Sequence, residues 1–194
     1  MPLSQEDLRK LLEDSGALLT GHFILSSGRH SDTYIEKFRL LEQPDALSQV
    51  IEGIAEFGRS VGANLVAGPT TGGILIALET ARQMGTNALY VETEFGVKTL
   101  RRGATIPEGA KILVVDDVLT TGLSTRETVE ALQSRGGEVV GVGVLISRSE
   151  NPLDFGIPFF AAYTAQGRSW APEEIPEFLK DIPAVKPGTR SSAK

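Results

Sequence analysis

The sequence predicts an α/β protein with a central, mostly parallel sheet flanked by helices, and three observations predict it. Four short runs, 64-NLVAGP-69, 88-ALYVET-93, 111-KILVVDD-117 and 138-EVVGVGVLIS-147, are rich in Val, Ile, Leu and Ala without sustained polar alternation. Strands of this kind are buried on both faces, as they are between two layers of helix. Helix-period segments at 73-GILIALETARQMG-85 and from Thr125 to Arg135 separate them and stop at glycine. Finally, 194 residues with 41% apolar side chains suit one domain spanning 1–194.

Taken in order, Ser4 and Asp7 make an S-x-x-D capping pattern ahead of Leu8, Leu11 and Leu12, so a short helix opens the chain and ends at Gly16. The stretch 21-GHFILSSGRHSDTYIEKFRL-40 breaks that period and reads as two short strands around a loop. Residues 1–40, joined by a C-terminal segment, are expected to form a small hood over a core of about 45–165. Pro44 occupies a first helical position, and Leu47, Val50, Ile51 and Ile54 mark one face of a helix ending near Gly58. Trp170 and 172-PEEIPEFL-179 form a terminal helix or turn, and 186-KPGTRSSAK-194 reads as a frayed tail.

Composition limits the partners. A formal charge of −6 with dispersed basic residues argues against a nucleic-acid backbone as main partner. The absence of cysteine removes disulfides and thiolate metal sites. His22 and His30 are the two imidazoles; they have no metal-ligand spacing with acids and receive no role. No run is long enough to span a bilayer, and the N-terminus lacks the apolar core of a signal peptide, so a cytoplasmic protein without a membrane partner is expected.

The chemistry concentrates in 111-KILVVDDVLTTGLSTRE-127, where an apolar strand ends in Asp116 and Asp117 and turns through two threonines, a glycine and a serine. Ligands of open α/β sheets collect at such carboxyl ends. Ser124 and Glu127 make an S-x-x-E capping box, so the first amides of the next helix point into the loop. Those amides, the helix dipole and the hydroxyls of Thr120, Thr121 and Ser124 suit a phosphate monoester, with Gly122 allowing close approach. Two carboxylates beside a phosphate would repel it, so they serve sugar hydroxyls or a hydrated magnesium ion.

The run VVDDVLTTGLS resembles the signature of type I phosphoribosyltransferases, which bind 5-phosphoribosyl 1-diphosphate. The resemblance implies that family's fold and a ribose 5-phosphate site running from Asp116 and Asp117, on the ribose, through Val118 and Leu119 to Thr120, Thr121, Gly122, Leu123 and Ser124, around the 5′-phosphate. The segment 21-GHFILSSGRHSDTYIEKF-38 is similar to the start of orotate phosphoribosyltransferases, where an F-x-L-x-S-G-R-x-S-x-x-Y pattern helps build the base pocket; Ser27 and Tyr34 match it. Orotate carries a carboxylate, which a guanidinium grips through two parallel hydrogen bonds. Arg148, just past an apolar run, matches the family's orotate contact, with Thr120 beneath the ring. Without the motif, Arg148 would read as a surface ion pair with Glu150 or Asp154.

Two more segments fit in the same order. The stretch 67-AGPTTGGILIALETARQMG-85 is similar to the family's pyrophosphate loop, implicating Thr70, Thr71 and Gly72 and a non-proline cis peptide between the two threonines. Next, 98-KTLRRG-103 is similar to the mobile catalytic loop, implicating Lys98, Arg101 and Arg102 at the pyrophosphate; residues 94–109 read as a closing lid, with a solvated charged hairpin as the alternative. In the family the loop lysine acts across a dimer interface with magnesium present, so a homodimer and Mg2+ are implied. The chain departs from many orotate enzymes, which have lysine in place of Ser26 and of Gly72 and an Arg-Lys pair in place of Glu92-Thr93. Two other readings stand beside orotate transfer: a purine-base transferase, and a donor-sensing regulator of the same fold.

Overall fold

The computed structural model describes residues 2–101, 103–149, 153–165 and 168–187. After α1 (Gln5–Asp14), capped by Ser4 Oγ accepting from the Asp7 amide at 3.1 Å, the chain forms β1 (Leu18–Ile24) and β2 (His30–Ile35). Helices α2 (Lys37–Leu41) and α3 (Pro44–Ser60) lead into β3 (Leu65–Pro69), α4 (Gly72–Met84), β4 (Asn87–Glu94) and β5 (Val97–Thr99). Then come β6 (Lys111–Leu119), α5 (Leu123–Gln133), β7 (Glu138–Ser147), β8 (Phe159–Thr164), β9 (Ser169–Trp170), a 3-10 turn at Pro172–Glu174 and α6 (Glu177–Lys180).

The main sheet runs β5-β4-β3-β6-β7-β8, parallel throughout except for β5, which turns back on β4 as a hairpin. The hood is a separate antiparallel sheet, β1-β2-β9. Helices cover both faces: α1, α3 and α4 share one apolar core with the hood, and α5 packs on the other face.

Close packing of α3 on β7 depends on two glycines. A Cβ at Gly143 would lie 2.8 Å from Ile54 Cγ2, and one at Gly141 would lie 3.2 Å from the Phe57 ring. The V-G-V-G-V run is thus a flat landing for a helix face, and Ile54 is completely buried there.

Several boundaries differ from those expected. Helix α3 continues past Gly58 to Ser60, and β6 runs past the acid pair to Leu119. The capping box at Ser124 and Glu127 does not form, because α5 begins earlier, at Leu123, with Gly122 at the cap in a left-handed conformation (φ 77°). Ser124 therefore lies inside the first turn. Just ahead of the expected frayed tail the chain is tethered: Val185 bridges to Phe23, its amide donates to His22 O at 2.8 Å, and its carbonyl accepts from the Ile24 amide at 2.8 Å. Of that tail, 188–194 lie outside the described residues.

Replacing Ile54 by Ala leaves a cavity that Gly143 cannot fill. The variant should lose about 2–5 kcal/mol of stability, seen in urea unfolding as a lower midpoint with an unchanged slope.

Candidate active site

Asp116 and Asp117 lie at the carboxyl end of β6, both buried. Successive strand residues point to opposite faces, and the two carboxylates follow that rule. Asp116 turns toward α5, accepting from the Thr125 hydroxyl at 3.2 Å and, through Oδ1, from the Asp117 amide at 2.9 Å. Asp117 turns toward α2 and α4, accepting from Lys37 Nζ and from the Val118 amide, each at 2.6 Å. A side chain at position 72 would overlap Asp117 Oδ2, so with Asp117 in this orientation only glycine fits where α4 starts.

The surroundings split the two acids electrostatically. Burial, and then the neighbouring Asp117 charge, push the Asp116 carboxyl up to about 6, against hydrogen bonds from Asp117 and Thr125 and the cationic Lys98. Lys98 on β5 is therefore close enough to be felt at the acid pair within the same subunit.

The loop from Thr120 to Ser124 joins β6 to α5. Gly122 is needed there twice over: its φ is 77°, and a Cβ would lie 3.1 Å from Leu153 and 3.3 Å from Phe155. With glycine at the cap, no side chain of that residue fills the first turn, so the start of α5 presents amides to a ligand.

Beside this loop opens a cavity of about 890 Å3. Ser27, Tyr34, Thr120 and Arg148 all line it, joined by Arg29 and Lys186. Sheet register explains part of this: Leu119 pairs with Ser147, which sets Thr120 next to Arg148, and the Arg148 amide donates to Leu119 O at 2.7 Å. Asp154 accepts from the Gly156 amide at 2.7 Å, and Glu150 lies outside the described residues.

Around the other predicted site, the Thr70-Thr71 peptide is cis, and the Thr70 amide donates to Val91 O at 2.9 Å. Arg101 lies against Glu92 at 3.5 Å and Glu94 at 3.4 Å, on the β4–β5 hairpin. Arg102 lies outside the described residues.

Lys37, Arg29 and Lys186 escaped the sequence reading. Arg29 stands inside the quoted S-G-R motif, which was a usable signal; Lys37 and Lys186 reach the site only through tertiary packing. His22, given no role, anchors the C-terminal segment: its Nδ1 lies 2.9 Å from Ile182 O and its Nε2 2.6 Å from His30 Nδ1.

Residues 40–155 match the family model described as phosphoribosyl transferase domain. The chain is 43% identical to an orotate phosphoribosyltransferase from Pelotomaculum thermopropionicum, over 97% of this chain and 99% of that protein. It is 41% identical to one from Thermotoga maritima, over 94% of this chain and 98% of that protein. The chain belongs to the orotate phosphoribosyltransferase family. Among solved structures, orotate phosphoribosyltransferase from Aeropyrum pernix superposes with a TM-score of 0.67 at 31% identity, covering 82% of this chain and 94% of that one. The Mycobacterium tuberculosis orotate phosphoribosyltransferase, solved with inorganic phosphate, gives 0.67 at 25% identity, covering 82% and 95%.

Orotate phosphoribosyltransferases work with a magnesium-bound donor, and the residues here fit a loosely held ion. Among the described residues no group of three or more carboxylates or imidazoles is placed to hold a metal ion, and at this site Asp116 and Asp117 are the carboxylates that would hold it. Magnesium characteristically binds in this way, through one or two carboxylates, waters and substrate phosphates.

The raised Asp116 carboxyl makes a stability prediction. From its ordinary value of 3.8 to about 6, the folded protein binds a proton that the unfolded chain has released. Stability therefore falls as pH rises through this window, and the cost is complete above it. Asp116→Asn should gain roughly 2–3 kcal/mol over wild type near neutral pH, and the gain should vanish toward about pH 4 in chemical unfolding.

Proposed function

We propose that this chain transfers ribose 5-phosphate from 5-phosphoribosyl 1-diphosphate to orotate, releasing pyrophosphate and orotidine 5′-monophosphate for pyrimidine synthesis. The observation that carries the reading is the meeting of Ser27, Tyr34, Thr120 and Arg148 around one cavity next to the acid pair and the loop before α5. A phosphate-binding turn alone would suit any acceptor. An arginine in the adjoining cavity suits a flat base bearing a carboxylate.

The 5′-phosphate sits on Thr120 to Ser124 at the start of α5, where amides and helix dipole favour an anion. Asp116 and Asp117, pointing to either side of β6, accept from the two ribose hydroxyls and hold the sugar across the strand end. Arg148 grips the orotate carboxylate through two parallel bonds, above Thr120. The bond from C1 to the pyrophosphate oxygen breaks with its electron pair leaving on pyrophosphate, an oxocarbenium-like centre develops, and N1 of orotate attacks from the opposite face. Orotate loses its N1 proton as the new bond forms. Magnesium, when bound, supplies charge stabilisation to the departing pyrophosphate. Thr70, Thr71 and Gly72 receive that group, with Lys98, Arg101 and Arg102 delivered by the hairpin lid.

The active form is a cytoplasmic homodimer. Helix α4 turns Leu75 and Leu78 outward, an apolar patch that a second copy covers. Purine transfer is disfavoured by Arg148, since an uncharged base leaves that guanidinium without its partner.

The deciding assay follows orotate absorbance on addition of donor and magnesium, with adenine, guanine and uracil in parallel. Turnover of orotate alone is expected; turnover of a purine would replace this reading, and silence with all four despite donor binding would favour a sensor. Arg148→Ala should raise the KM for orotate roughly ten- to hundredfold while leaving the KM for the donor nearly unchanged. Mixing inactive Lys98→Ala and Asp117→Asn proteins should restore activity if the lid closes across a dimer, and sedimentation should show two chains per particle.

A further inference from the structure

Two buried carboxylates must receive a donor that is itself strongly anionic, so local cations decide whether it can bind. Lys98 acts on the Asp116 side, and Arg101 is held by Glu92 and Glu94. On the Asp117 side stands Lys37, the first residue of α2, with Nζ 2.6 Å from Asp117 Oδ2. That oxygen is the atom a side chain at position 72 would overlap. Ammonium, carboxylate and the start of α4 therefore meet at one point.

Position 72 has no room for a cation of its own while Asp117 keeps this orientation, so positive charge serving that point has to come from another element. Helix α2 supplies it. The Lys37 side chain is 34% exposed and that of Asp117 only 9%, which puts the ammonium at the mouth of the site, where a ligand can reach it. An ammonium has three donors, and one bond to Asp117 leaves two for another acceptor.

We propose that Lys37 is a donor-binding residue, whose ammonium balances Asp117 in the free protein and bridges Asp117 to the pyrophosphate group once the donor is bound. This rests on Asp117 as a ribose residue and Thr70 to Gly72 as the pyrophosphate loop.

Separate titrations of inorganic pyrophosphate and of ribose 5-phosphate, by calorimetry at constant magnesium, test the proposal. Lys37→Met should weaken pyrophosphate roughly ten- to hundredfold, with ribose 5-phosphate changed by no more than about twofold. Lys37→Arg should recover most of the pyrophosphate affinity. If Lys37→Met does not fold, Lys37→Gln, which keeps a donor for Asp117 without the charge, should give the same split. Unchanged pyrophosphate affinity, or equal weakening of both ligands, would overturn the proposal by reducing Lys37 to a partner of Asp117. Wild-type protein that binds pyrophosphate but not ribose 5-phosphate would remove the ribose reading of Asp117 itself, and the bridge with it.

Discussion

Burying two adjacent carboxylates at the end of a central strand is expensive unless each finds its own partners. In this protein the alternation of strand side chains separates them: one goes to the Thr125 hydroxyl on α5, the other to Lys37 on α2. The neighbouring elements are then constrained in turn. Asp117 in this orientation leaves room only for glycine at the first residue of α4, and the loop before α5 turns through a left-handed glycine on which Leu153 and Phe155 close in. Donor-site geometry is thus a consequence of where two charges are permitted to sit.

The base cavity is built differently. Its walls come from strand ends of the main sheet, from the β1–β2 loop and from the C-terminal segment that runs beside β1. Arg148 and Thr120 are set by register between β6 and β7, which is rigid. Lys186 is set by a few backbone hydrogen bonds and the His22 ring, a weaker tether. One half of the site is held by the sheet, and the other by the hood.

Much of this was legible in the chain. Apolar runs marked β3, β6 and β7 because strands covered on both faces tolerate little else, whereas β4, found by its run as well, buries only Val91 and is not covered on both faces as expected; the acid pair with T-T-G-L-S is unusual enough to carry its own meaning. Strand β8 and the short β5 were missed as separate elements: the first was passed over even though Gly156 and Pro158 mark a turn just before it, and the second has three residues. The S-x-x-E pattern at Ser124 misled, since glycine at the cap starts the helix two residues sooner than a serine cap would. Lys37 left no local sign at all. It lies 80 residues from Asp117, and only the packing of α2 brings them together.

The tether of Val185 to β1 also orders events in time. Donor-binding elements are encoded between α2 and α5, a continuous stretch that is complete well before the C-terminal segment. The base cavity, by contrast, needs contacts between residues about 160 apart, such as the His22 ring and Ile182 O. Pairings of such long separation carry the largest loop-closure cost and form late. During synthesis, then, the phosphate-binding half can assemble while the chain is still growing, but the acceptor half is completed only after residue 185 has emerged.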